Sequence, residues 1–165
     1  MKNILILSAM LVLGITLGYT VSGLLKTGTE FPSSFVPSVF ANSPKQSPSD
    51  RVSMDQIQVY GDKVVLDVKN AQWAQFTDTH SMEPVISSTS NAIEVAPKSE
   101  SEIKVGDIIS YQSEYADGIF IHRVIDIGSD DKGWYTIVKG DNNPSPDPGR
   151  IRFKQIKRVV VAIIY

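Results

Sequence analysis

The stretch FTDTHSMEP, residues 76–84, sets a serine, Ser81, among hydroxyl, acidic and imidazole neighbours. A serine hydroxyl is a weak nucleophile until a base accepts its proton. Two histidines are available: His80 beside it, and His122 in the apolar run FIHRVI. Imidazole titrates near neutrality and suits a general base. A third segment, VKGDNNPSPDPG, carries Asp141 and Asp147 in a loop stiffened by prolines. A carboxylate held against an imidazole fixes its tautomer and stabilises the cation formed during proton transfer. Each feature also has a plainer meaning. Serine is an ordinary turn residue, a lone histidine in an apolar strand is more often a satisfied core residue, and Gly, Asn and Pro make a loop in any protein. Spacing alone does not bring the three segments together.

The elements that must position these residues are short strands. IQVYGDKVVLDV alternates around Gly61-Asp62 and reads as a hairpin, 57–60 and 64–68. Residues 73–76 lead into the serine segment. AIEVAP, VGDIISYQ, GIFIHRVIDI, GWYTIVK and RVVVAIIY follow, separated by turn residues. Alternation puts Phe120, His122 and Val124 on one face of their strand. Neighbours on a strand point to opposite faces, which disfavours His80 as the base for Ser81. The run 159–165 is too short to cross a membrane and reads as a strand buried on both faces. Helix is expected only as short turns, for instance over 99–103. The pattern predicts a mainly β domain, a barrel or packed sheets.

Composition narrows the chemistry. The 165 residues carry a net charge of −2 and no cysteine. Thiolate catalysis, disulfides and cysteine zinc sites are excluded. Two histidines in all argue against a multi-histidine metal site, so neither metal nor cofactor is expected. There is no basic surplus of the kind that marks nucleic-acid partners. Residues 4–25 are uncharged and mostly apolar, long enough to span a bilayer as a helix. The division expected is a membrane anchor over 1–26, a Pro/Ser-rich linker over 27–50 and a β-rich domain over 51–165. A cleaved secretory leader is the competing reading of the anchor. Val39 and Ala41 in SVFAN have the spacing of a processing site.

Four motifs in order, HSMEP, VGDIISY, IHRVI and VKGDNN, together with the apolar N-terminal run, resemble the type I signal peptidase family. The likeness is to the branch of archaea and the endoplasmic reticulum, which has histidine where the bacterial branch has lysine. It covers roughly residues 76–165 and the anchor. It implies a signal-peptidase-like β-rich catalytic core behind an N-terminal transmembrane helix. It also implies Ser81 as nucleophile, His122 as general base, Asp147 as the orienting acid and Asp141 as a second acid nearby. Thr79 and the Ser81 N–H would stabilise the oxyanion. The implied reaction is cleavage of exported preproteins after small side chains, on the extracytoplasmic side of a lipid bilayer. Substrate would lie extended along the segment entering Ser81. Trp73, Phe76, Met82 and Val85 are the candidate pocket walls.

The sequence departs from the family at two places. Ser90-Asn91 stands where a Gly-Asp pair is common, and His80 stands where a small residue is frequent. A catalytically inactive, membrane-tethered β-domain acting as a binding or assembly module is the alternative. Self-cleaving repressors share the general fold, but they use lysine as base and carry a DNA-binding domain where this chain has an apolar span.

Overall fold

The computed structural model describes residues 46–165. The expected anchor, the processing site at Ala41 and most of the linker lie outside the described residues. Lys45–Tyr165 forms one compact unit. Among the described residues no helix is long and apolar enough to cross a membrane.

The unit is mainly β and antiparallel, as the alternation predicts. Strands β1 (Ile57–Val59) and β2 (Val64–Leu66) form a two-stranded ribbon. The Gly61-Asp62 turn is closed by Tyr60 N–H donating to the Lys63 carbonyl at 2.8 Å. This is the expected hairpin with shorter strands, and it stands apart from the main sheet. The main sheet has six strands: β3 (Gln72–Gln75), β4 (Asn91–Val95), β5 (Ile108–Gln112), β6 (Ile119–Asp130), β7 (Gly133–Lys139) and β8 (Ile156–Ile164). Their spatial order is β3-β4-β8-β5-β6-β7. A single 3-10 turn, Glu100–Glu102, occupies the place where a short helical turn is expected.

Strand β8 lies between β4 and β5, which explains its unbroken apolar sequence. Its neighbours Val159 and Val160 face opposite sides, and both are buried. A strand covered on both faces has no reason to alternate. The run does not stay buried to its end. Beyond Val159 it has passed the last β5 partner and pairs with β4 alone, and Ile164 and Tyr165 are exposed.

Two apolar clusters cover the two faces of the sheet. One holds Ile109, Tyr111, Val124, Val138 and Val159; the other holds Met82, Ile86, Ala92, Ile108 and Val160. The last residues of the expected linker belong to this unit. Ser49 N–H donates to the fully buried Asp107 carboxylate at 2.8 Å, and Arg51 adds an ion pair to it at 2.7 Å. Gly106 sits at φ +100°, and a Cβ there would lie 2.3 Å from the Ser47 carbonyl oxygen. The Gly-Asp pair of VGDIISY therefore secures the chain ahead of β1, and its carboxylate is taken up in structure.

Candidate functional site

Ser81 lies in a turn after β3, not on a strand. Its position is fixed from two sides. Met82 is buried in the second cluster, and its carbonyl accepts from the N–H groups of Val85 (3.0 Å) and Ile86 (2.9 Å). From the other side comes the GDNN segment. The Asn142 N–H donates to the Ser81 carbonyl at 2.9 Å, and Asn142 Nδ2 donates to the His80 carbonyl at 3.0 Å. Gly140 makes this approach possible, because a Cβ there would come within 2.6 Å of the Ser81 carbonyl oxygen. The loop thus clamps the backbone of the serine turn. Gly140→Ala is expected to cost about 1–3 kcal/mol by overpacking, read as a lower midpoint in urea unfolding.

His122 is buried on β6, opposite Ile109 of β5. Phe120 and Val124 share its face and pack in the first cluster, as alternation predicts. Its Nδ1 hydrogen-bonds the Asp147 carboxylate. The Tyr111 hydroxyl donates to the same carboxylate oxygen. Asp147 is itself held in place by its N–H, which donates to the Val138 carbonyl at 2.9 Å. Burial pushes the Asp147 carboxyl up. The hydrogen bonds from His122 and Tyr111 and the His122 charge together outweigh it and hold the carboxyl below its ordinary value. Burial, then the Asp147 contact, pushes the Tyr111 phenol far above its ordinary value. The phenol is therefore a fixed donor. Tyr111→Phe removes one of the two bonds on Asp147 and is expected to move its carboxyl titration upward, measured by the carbon NMR shift of the carboxyl against pH. An unmoved titration would show that Tyr111 does not tune this acid.

Asp141 has a different partner. It makes a two-pronged ion pair with Arg123, Nε to Oδ1 and Nη2 to Oδ2, both at 2.7 Å. Arg123 also donates from Nη1 to the Gly106 carbonyl at 2.8 Å. Of the two candidate acids, Asp147 meets the imidazole. Asp141 ties the clamp loop to β6 at the residue following His122.

Ser81 and His122 line one cavity of about 690 Å³. No hydrogen bond joins them among the described residues. The Ser81 hydroxyl instead bonds the Thr79 hydroxyl at 3.1 Å. Thr79 therefore stands beside Ser81. The Ser81 N–H has no acceptor among the described residues and is available as a second donor.

His80 takes the left-handed conformation, φ 58°, so it is a turn residue and strand alternation does not apply to it. Its Nδ1 hydrogen-bonds Glu83 at 2.8 Å and the ring is mostly exposed. The Glu83 bond first, then the nearby Asp78 and Glu83 charges, push its pKa up. An imidazole already committed to Glu83 is a poor base for Ser81.

The cavity walls differ from those expected. Phe76 and Met82 line it; Trp73 and Val85 do not. Trp73 pairs with Ile93, whereas its neighbour Ala74 pairs with Ala92 on the buried face. Alternation therefore turns Trp73 away, and its Nε1 donates to Asn91 Oδ1 at 3.0 Å. Val85 faces a separate cavity beside Arg123 and Asp141. Sequence reasoning missed Phe120, Ile121, Ser110, Glu94 and Arg158 as lining residues. For Ser110 and Glu94 the available signal was parity, since Ile108 and Ser110, like Ala92 and Glu94, fall on one face of their strands; Phe120 and Ile121 are neighbours on β6, and parity does not place both.

No group of three or more metal-binding side chains occurs among the described residues. A larger cavity lies around Asp130, whose carboxylate is already paired with Arg150 and Arg152. The smaller cavity brings together a serine hydroxyl, a threonine hydroxyl bonded to it and an imidazole held by a carboxylate. No family model, no curated protein and no solved structure gives a significant match to this chain.

Proposed function

We propose that this protein is a membrane-anchored serine endopeptidase of signal-peptidase type, acting on exported preproteins after small side chains. The observation that carries the proposal is the His122–Asp147 hydrogen bond at a cavity that also contains Ser81. In this reading His122 takes the Ser81 proton as the hydroxyl attacks the scissile carbonyl, then delivers it to the leaving amine. Asp147 holds Nδ1 protonated, which leaves Nε2 as the basic nitrogen. Catalytic hydrogen bonds commonly tighten only when substrate is bound, and this reading requires the Ser81 hydroxyl to turn from Thr79 toward the imidazole. Thr79 and the Ser81 N–H then receive the oxyanion; one such donor is worth about 3 kcal/mol.

The substrate is a peptide in extended form. Among the described residues strand β3 has a neighbour on one side only, β4, and Ala74, Gln75, Phe76 and Thr77 lead along the cavity toward Ser81. An open edge accepts a further strand through main-chain hydrogen bonds. Residues 4–25 supply the anchor in this reading, with the catalytic unit on the extracytoplasmic face.

The test is cleavage of a signal-sequence substrate by the full chain in detergent. Cutting by the wild type and silence of Ser81→Ala support the proposal. The second reading, a binding or assembly module, is favoured by the Thr79 bond that occupies the Ser81 hydroxyl. Wild-type protein that binds the substrate and never cuts it would establish that reading instead.

A further inference from the structure

Glu94 is an acidic side chain placed where the sheet buries its residues. It is inward on β4 with Ala92, and only 5% of its surface is accessible. Its Oε1 is buried and has no hydrogen-bond partner among the described residues. Leaving a buried acceptor unsatisfied is costly, and native proteins rarely do so without a reason. Yet Glu94 lines the same cavity as Ser81, along with Ser110 and Arg158. Burial pushes its carboxyl up; the Ser110 hydroxyl and the Arg158 charge oppose this without cancelling it. An apolar side chain at this position would complete the cluster formed by Met82, Ala92, Ile108 and Val160. The chain places a hydrogen-bond acceptor there instead.

We propose that Glu94 forms a polar subsite of the cavity, which accepts a neutral hydrogen-bond donor, a hydroxyl or carboxamide, from a side chain of the bound peptide. This rests on the peptidase reading for the identity of the ligand, and it adds a specificity element that small-side-chain selection does not include. The donor is neutral because Lys157 and Arg158 line the same cavity and repel an added cation. A site built around a buried polar group discriminates strongly, since an apolar analogue leaves that group unpaired.

The experiment measures binding and cleavage separately. Full-length Ser81→Ala in detergent is titrated by calorimetry with matched peptides, scanning Thr against Val and Gln against Met at each position ahead of the cleavage point. At one position the donor-bearing peptide is expected to bind at least about tenfold tighter, a difference of about 1.4 kcal/mol. Glu94→Met in the same background should remove that preference, while Glu94→Gln, which keeps an acceptor, should retain most of it. The carboxyl carbon resonance of Glu94, followed with no substitution at 94, should move with the donor peptide and stay still with its apolar match. This readout holds even if Glu94→Met fails to fold. Equal binding of each pair, or a still resonance, overturns the subsite. Peptide binding with the Glu94 preference but no cleavage by the wild type leaves the subsite standing and removes the peptidase reading.

Discussion

Ser81→Ala and His122→Ala should each abolish peptide cleavage, with kcat falling by about 10⁶-fold, and the double variant should be no worse than either alone. A nucleophile and its base work as one unit, so losing either loses nearly the whole covalent route. KM should change little, because neither side chain is asked to hold substrate in the ground state. The structure makes the His122 result the sharper of the two. The ring is buried and its Nδ1 is occupied by Asp147, so only Nε2 remains to act as a base. His80→Ala is the matching control: its ring is bonded to Glu83, and it should leave kcat within about threefold. Steady-state kinetics on a signal-sequence peptide reads all four variants. A His80→Ala loss equal to that of His122→Ala would reassign the base and sink the proposed constellation.

Strand parity carried part of the site in the sequence, and the family resemblance carried the rest of what was legible. His122 sits within an alternating strand, so its face could be read directly, and Phe120 and Val124 do accompany it. The same rule applied to His80 rested on a wrong premise, since the residue is in a left-handed turn. Trp73 shows the reverse case. Its strand is regular, but what turns it outward is the pairing of its neighbour Ala74 with the buried Ala92 of β4, which the sequence does not contain. Contacts between distant segments were not legible from strand pattern; the His122–Asp147 contact was expected only through the family resemblance. That Asn142 holds the Ser81 carbonyl, or that Arg123 takes Asp141 away from His122, depends on how β6, β7 and their loop close over the serine turn. A linear pattern contains the strands but not that closure. The two-faced burial of β8 was readable from its apolar run; its exposed end was not, because it depends on where β5 stops.

Asp147→Asn and Asp141→Asn separate the two carboxylates that the sequence left in competition. Asp147 bonds the imidazole, so its amide should lower kcat by about 10⁴-fold by favouring the wrong tautomer, with substrate binding preserved. Asp141 bonds the Arg123 guanidinium through both oxygens, and its amide gives up half of a charge-assisted pair. Its first effect should be on folding, a loss of about 2 kcal/mol, with a smaller fall in cleavage that follows from a looser clamp on Ser81. The pH dependence of stability distinguishes them further. Burial raises the Asp147 carboxyl, but its bonds to His122 and Tyr111 prevail and its folded pKa is depressed. A depressed carboxylate contributes stability that is fully present above its unfolded pKa, about 3.9. That contribution is lost as pH falls through the folded value. Urea midpoints for the wild type should therefore drop in this acid window, and Asp147→Asn should flatten the drop while being less stable at neutral pH. An Asp147→Asn protein that unfolds with the wild-type pH profile and cleaves at the wild-type rate would remove Asp147 from both roles, and the buried imidazole would then need another explanation for its orientation.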